Sequence, residues 1–218
     1  MLPSTLLPLL SLTATTLASP FKRNTTGGTI TAQNLIDLAP STATCDTTAQ
    51  FGDECRTASI AAPAIAQSFT DYTVTSFGAQ AALVSIMLFE SGDFKYSRNH
   101  FPAPGRPGQG TRNMQSADFN ALYAEDLAAK GTCGLTTAKV EAAKAEGPDA
   151  VLALVNTDRL GFASAAWFLR TQCTPAIEEG LAAATEDGYN AYLTECIGTT
   201  STEDRIEGWK AVVALKEW

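Results

Sequence analysis

The chain has 218 residues, 45% of them hydrophobic, and a formal net charge of −8 at neutral pH. That length suits one domain with a core of its own. The acidic balance, with no tight cluster of Lys and Arg, excludes nucleic acid and membrane as expected partners, because phosphate-rich surfaces are held by grouped cations.

Met1 to Ala18 carries no charge and is rich in Leu, Thr and Ala, and Thr16-Leu17-Ala18-Ser19 reads as a signal-peptidase site, although the usual basic start is missing. Residues 1–18 are therefore expected to be a signal peptide, and the protein to be secreted and extracellular. Lys22-Arg23 has the form of a dibasic processing site, which predicts residues 19–23 as a propeptide and Asn24 as the mature start. Asn24-Thr25-Thr26 is a glycosylation sequon placed at that very end. Residues 24–56 form a polar, Thr-rich arm without a sustained period, and residues 57–218 form the main domain.

Five cysteines in a secreted chain favour disulfides. Cys45–Cys55 and Cys173–Cys196 are the expected bridges, since near neighbours in sequence close small loops. Cys133 is then left over as a buried thiol. No Cys-x-x-Cys pair exists and His100 is the only histidine, so no metal and no cofactor is expected.

From Thr57 the pattern turns helical. Ile60, Ala61, Ala64, Ile65 and Phe69 share a face, with Pro63 near the first turn. Thr75 to Phe89 is apolar nearly all round and predicts a buried central helix; Thr73 to Phe89 is too short and too rich in Thr, Ser, Gly and Gln to span a bilayer. Gly92 to Arg112 breaks the pattern with Pro102, Pro104, Pro107 and several glycines, and a long span of this kind inside a compact domain points to function. Ser116 reads as the N-cap of a helix to Ala129. Further helices are expected over Thr136–Ala145, Pro148–Val155, Gly161–Thr171, Pro175–Ala184, Asp187–Cys196 and Thr202–Lys216. The fold class is all-α, or α with a small β hairpin in the loop after Glu90.

Chemistry concentrates at Phe89-Glu90-Ser91-Gly92-Asp93. After Tyr72 no ionisable side chain occurs until Glu90, where the apolar helix ends. An apolar wall and the negative end of a helix dipole both disfavour the charged carboxylate. A carboxyl held protonated is suited to general acid catalysis. Other chemistries fail on their residues. Glu90-Ser91-Gly92 lacks the glycine of a nucleophile elbow, and Thr111 stands where a phosphate loop needs Lys.

Glu90-Ser91, the glycine-rich loop and Met114-Gln115 resemble the Glu-Ser…Gly-Leu-Met-Gln pattern of goose-type lysozymes and lytic transglycosylases. Ala165–Leu169 and Arg205–Trp209 resemble core segments of plant-type chitinases in the same superfamily. With Arg98–Pro102, the run from Thr57 onward looks closest to secreted fungal muramidases. The resemblance implies a lysozyme-like catalytic domain over 57–218 and a glycoside hydrolase with Glu90 as general acid. It implies Asp118 as the auxiliary carboxylate, although a helix-start aspartate satisfying backbone amides reads equally well. Asp93 has the place of a capping residue. Tyr96, Asn99, His100, Phe101, Asn113 and Gln115 would line the sugar cleft. Arg112-Asn113 departs from the bacterial pattern, and Tyr189-Asn190-Ala191 suits packing as well as substrate. The implied function is a monomeric muramidase cutting β-1,4 links of peptidoglycan or a related N-acetylated glycan. A chitinase or chitosanase on the same fold, or a non-catalytic sugar-binding protein, are the alternatives.

Overall fold

The computed structural model describes residues 28–218. The expected signal peptide, the expected propeptide and the Asn24 sequon lie outside the described residues. Ten α-helices follow in order: α1 (Ala32–Leu38), α2 (Ala58–Asp71), α3 (Phe77–Ser91), α4 (Ala117–Ala129), α5 (Thr137–Glu146), α6 (Pro148–Val155), α7 (Asp158–Gln172), α8 (Pro175–Ala182), α9 (Glu186–Ala191) and α10 (Glu203–Val213). Among the described residues there is no strand. The expected hairpin is reduced to isolated bridges, Arg98 with Gly110 and Gly110 with Gln115. The all-α class is observed.

The helices start where their sequences say. Ser76, Ser116, Thr136, Thr157 and Thr185 each accept a hydrogen bond from the third helical amide, relieving donors that the helix itself leaves unpaired. The arm departs from expectation. It contains α1, opened by a capping box between Thr31 and Asn34 and buried through Leu35. The segment expected as one helix to Cys196 ends as α9 and continues as a π-helical turn over Tyr192–Ile197.

Helices α3 and α7 are the spine. α3 is buried almost all round, and α7 buries every residue from Leu160 to Leu169. Phe162, Ala165, Ala166 and Leu169 of α7 join α2, α3, α8, α9 and α10 in one apolar cluster. Leu160, Trp167 and Phe168 join α4, α5 and α6 in a second. One helix thus ties both halves of the core together. In the second cluster Tyr123 donates to Leu160 O at 3.1 Å and Trp167 Nε1 to Asp126 at 3.1 Å, whereas the buried Trp209 Nε1 of the first has no partner among the described residues.

Both expected disulfides are present, Cys45–Cys55 and Cys173–Cys196. Cys133 is a free thiol, but it is exposed rather than buried. It occupies a short turn with φ 53°. No helix among the described residues is long and apolar enough to cross a membrane.

Candidate functional site around Glu90 and the loop that follows it

Helix α3 ends in the manner its sequence dictates. Gly92 takes φ 57°, a left-handed cap that glycine adopts without steric cost, and Asp93 N returns to Leu88 O at 2.8 Å. Glu90 is thereby set in the last turn, facing the first turn of α10. Arg205 Nη1 donates to Glu90 Oε1 at 2.5 Å, with Glu90 22% and Arg205 12% exposed in their side chains. The same guanidinium sits 4.1 Å above the ring of Phe89, which is 42% exposed. The proton-donor role expected of Glu90 required an apolar wall, and the structure supplies a cation instead. That cation comes from 115 residues away, where the local pattern carried no sign of it.

Beyond Phe89 lies a pocket of about 160 Å³, walled by Leu38, Ser85, Leu88, Gly208 and Val212 and edged by Asp93. Behind it, Tyr189 stacks on Trp209 with centroids 5.1 Å apart, and its hydroxyl lies 3.4 Å from Ser85 Oγ. Burial pushes the Tyr189 phenol up, opposed by Ser85 and Arg205. Tyr189 is fully buried, so of its two sequence readings the structure shows the packing one.

The loop after α3 is built on a different carboxylate. Glu54, 9% exposed in its side chain, accepts from Ser97 N at 2.7 Å, Arg98 N at 3.0 Å and His100 Nε2 at 2.9 Å. Phe51 stacks flat on His100 at 3.5 Å. Arg112 lies beneath, buried, with Nη1 donating to Phe94 O and Tyr96 O and Nη2 to Glu54 O. Burial, then the nearby Arg56, pushes its guanidinium down to about 10. Ser91 is also structural: Oγ donates to Met87 O and accepts from Phe94 N, which pins the left-handed run Gly92-Asp93-Phe94. Sequence reading missed Glu54. Its place beside Cys55 holds no motif, and its partners are 43 to 46 residues away.

The remaining expected site residues do not converge on Glu90. Met114 takes φ 49° and is nearly buried. Gln115 is 5% exposed and donates to Asn120 Oδ1 at 2.8 Å, while Asn113 accepts from Thr111 and Ser164 and donates to Gln115. These amides close a network inside the protein rather than face a cleft. A Cβ on Gly110 would lie 2.5 Å from Ser97 O, so this turn admits no side chain there. Asn99 Oδ1 accepts from Arg106 N and shapes the loop tip. Tyr96 is half-buried and packs edge-on to His100. Phe101 is 73% exposed. Asp118 is exposed in the first turn of α4, where it suits the helix dipole. Asp93 accepts from Ser41 Oγ at 2.5 Å.

No family model matches the chain and no solved structure matches it. A curated relative does: the chain is 41% identical over 149 residues to a bifunctional dioxygenase (DOX)-epoxy alcohol synthase (EAS) of Fusarium oxysporum (strain Fo5176). The match takes in 67% of this chain and 11% of the relative, so the chain spans about a tenth of that protein's length. This corrects the sequence reading. The relative is an enzyme of oxygen chemistry, so membership of the lysozyme superfamily, the muramidase assignment with its peptidoglycan substrate, and the chitinase and sugar-binding alternatives are all withdrawn. The geometry explains why the motifs misled. Glu90 is an ion-pair partner, and Met114-Gln115 is a buried turn.

A dioxygenase requires a centre that activates oxygen. The single histidine is engaged by Glu54 and covered by Phe51, and among the described residues no group of three or more His, Cys, Asp or Glu side chains comes together. The residues present do not fit such a centre.

Proposed function

We propose that this chain is a binding module that serves an oxidative enzyme, holding an oxygenated apolar molecule at the Phe89–Glu90–Arg205 site. The observation that carries this reading is the double use of Phe89. One ring both lines the 160 Å³ apolar pocket and carries the guanidinium of Arg205. Arg205 and Glu90 do not wall the cavity themselves and meet it through the Phe89 ring; an apolar cavity beside convergent polar groups is the general form of a small-molecule site. Arg205 gives one N–H to Glu90 and retains donors for a neutral oxygen, while the second oxygen of Glu90 is an acceptor for a hydroxyl. An epoxy alcohol presents that combination: an apolar skeleton, an epoxide oxygen that accepts and a hydroxyl that donates. The relative's name states that it makes such a product. The two disulfides support placing the chain in an oxidising, secretory compartment.

The test is calorimetric titration of an alkene-derived epoxy alcohol into the purified chain, beside an oxygen-electrode record with the parent alkene. Saturable binding is expected, with Phe89→Ala weakening it about tenfold or more, since both the pocket wall and the seat of the guanidinium are lost. No oxygen uptake is expected from the chain alone. Oxygen consumption, or binding indifferent to Phe89→Ala, would overturn the reading.

A further inference from the structure

The charges of this chain are segregated. It holds 23 Asp and Glu against 15 Lys and Arg, yet from Phe94 to Ala117 there is no acidic residue. Lys95, Arg98, Arg106 and Arg112 all fall there. Arg112 is buried and engaged by carbonyl oxygens. Lys95 and Arg106 are exposed and Arg98 is half-buried. Among the described residues none of these three has a carboxylate within 4.0 Å, whereas Arg56, Lys130, Lys144, Arg159 and Arg170 are each ion-paired. Of the nearby acids, Glu54 is held by the loop itself, Asp149 by Gly108 N and Asp93 by Ser41, while Asp53 beside Glu54 is exposed.

The same loop carries the most exposed large apolar side chain among the described residues, Phe101 at 73%, followed by Pro102, Ala103 and Pro104, all exposed. This tip is held in shape. Gly105 N donates to Pro102 O at 2.8 Å, Arg106 N to Asn99 Oδ1 at 3.1 Å and Asn99 N to Gln109 O at 3.0 Å. His100 anchors the base between Phe51 and Glu54. An ordered tip has little conformational entropy left to lose on docking.

We propose that this loop docks the protein on an anionic lipid surface, with Phe101 entering the interface and Lys95, Arg98 and Arg106 meeting the headgroups. The apolar tip favours a lipid surface over a wholly polar polyanion, because aromatic side chains flanked by cations partition to the headgroup boundary. Net charge does not forbid it. At physiological ionic strength the Debye length is roughly 8 Å, so charges farther than that from a docked tip are largely screened from the surface. The expectation against membrane partners rested on the acidic balance and on the lack of a tight cluster of Lys and Arg; Lys95, Arg98 and Arg106 are spread along the loop and form no tight cluster in sequence. The inference is independent of the ligand site at Phe89.

The experiment is co-sedimentation of the full chain with vesicles of phosphatidylcholine alone or with added phosphatidylserine. Each cation near an anionic surface contributes about fivefold, so three predict a preference of about a hundredfold for the mixed vesicles, lost in high salt. Arg98→Ser and Arg106→Ser should each weaken binding about fivefold. Phe101→Ser, a change at an exposed position that leaves the melting temperature in place, should weaken it about tenfold or more. Equal binding to both vesicles, binding to neither, or a Phe101→Ser protein that binds like wild type would overturn the proposal. So would binding to a soluble polyanion that matches binding to the mixed vesicles.

Discussion

Glu54 accepts hydrogen bonds from three residues of a loop more than 40 positions away. Removing a buried carboxylate leaves those donors unpaired. Glu54→Ala should therefore lower stability by about 2–4 kcal/mol in urea denaturation. Asp118→Asn, at an exposed helix start, should change it by about 0.5 kcal/mol or less. The contrast inverts the ranking that the sequence suggested, in which Asp118 had a role and Glu54 had none. The reason is physical. Local pattern located Glu90 correctly at the end of an uncharged helix, and the residue does sit there. What decides its chemistry is Arg205, brought against it by the packing of α10 on α3. Asn113 and Gln115 misled in the same way, since polar residues in a glycine-rich loop look alike whether they face solvent or close a buried network.

Elements were more legible than sites. Apolar period and caps placed α2 to α8 and α10 because each buries one consistent face, and α3 reads as central because it has no polar face at all. Helix α1 escaped, since seven residues with a single buried side chain carry too little period to register. The π-helical turn after α9 escaped as well, since it continues the same apolar spacing. Helix α7 carries the heaviest packing. Phe162 is fully buried, meets Phe94 edge-on at 5.2 Å and lies under the Arg112 guanidinium. Phe162→Ala should cost about 3–5 kcal/mol, read as a lowered denaturation midpoint with an unchanged slope. The bridges act at this scale too. With separations of 10 and 23 residues, loop-closure entropy assigns each about 3 kcal/mol, so replacing Cys173 and Cys196 by Ser should lower stability by that order.

The molecule as a whole keeps several phenols neutral in its core. Burial pushes Tyr72 up to about 12, and likewise raises Tyr123, Tyr189 and Tyr192. A folded value above the unfolded 10.0 means that the native state keeps protons which the unfolded state releases. Stability from these groups is complete below pH 10 and falls as pH rises toward 12 and beyond. Arg112, held at about 10 against 12.5, has the opposite sign over that interval, one group against four. Helical circular dichroism should therefore be lost at alkaline pH together with the appearance of phenolate from these four of the five tyrosines; phenolate from Tyr72, Tyr123, Tyr189 and Tyr192 appearing well before the helices melt would contradict this burial. The same fold leaves Phe89 exposed at the edge of an apolar pocket with the largely covered Arg205 guanidinium on its ring, and the account of function rests on that pair. Its most direct test is calorimetric titration of an epoxy alcohol into wild-type protein and into Arg205→Met, which keeps the aliphatic stem and removes the donors. The account predicts saturable binding to wild type, weakened about tenfold or more in the variant, as for loss of a charge-assisted hydrogen bond. Equal affinity for the two proteins, or no binding to wild type, would contradict it.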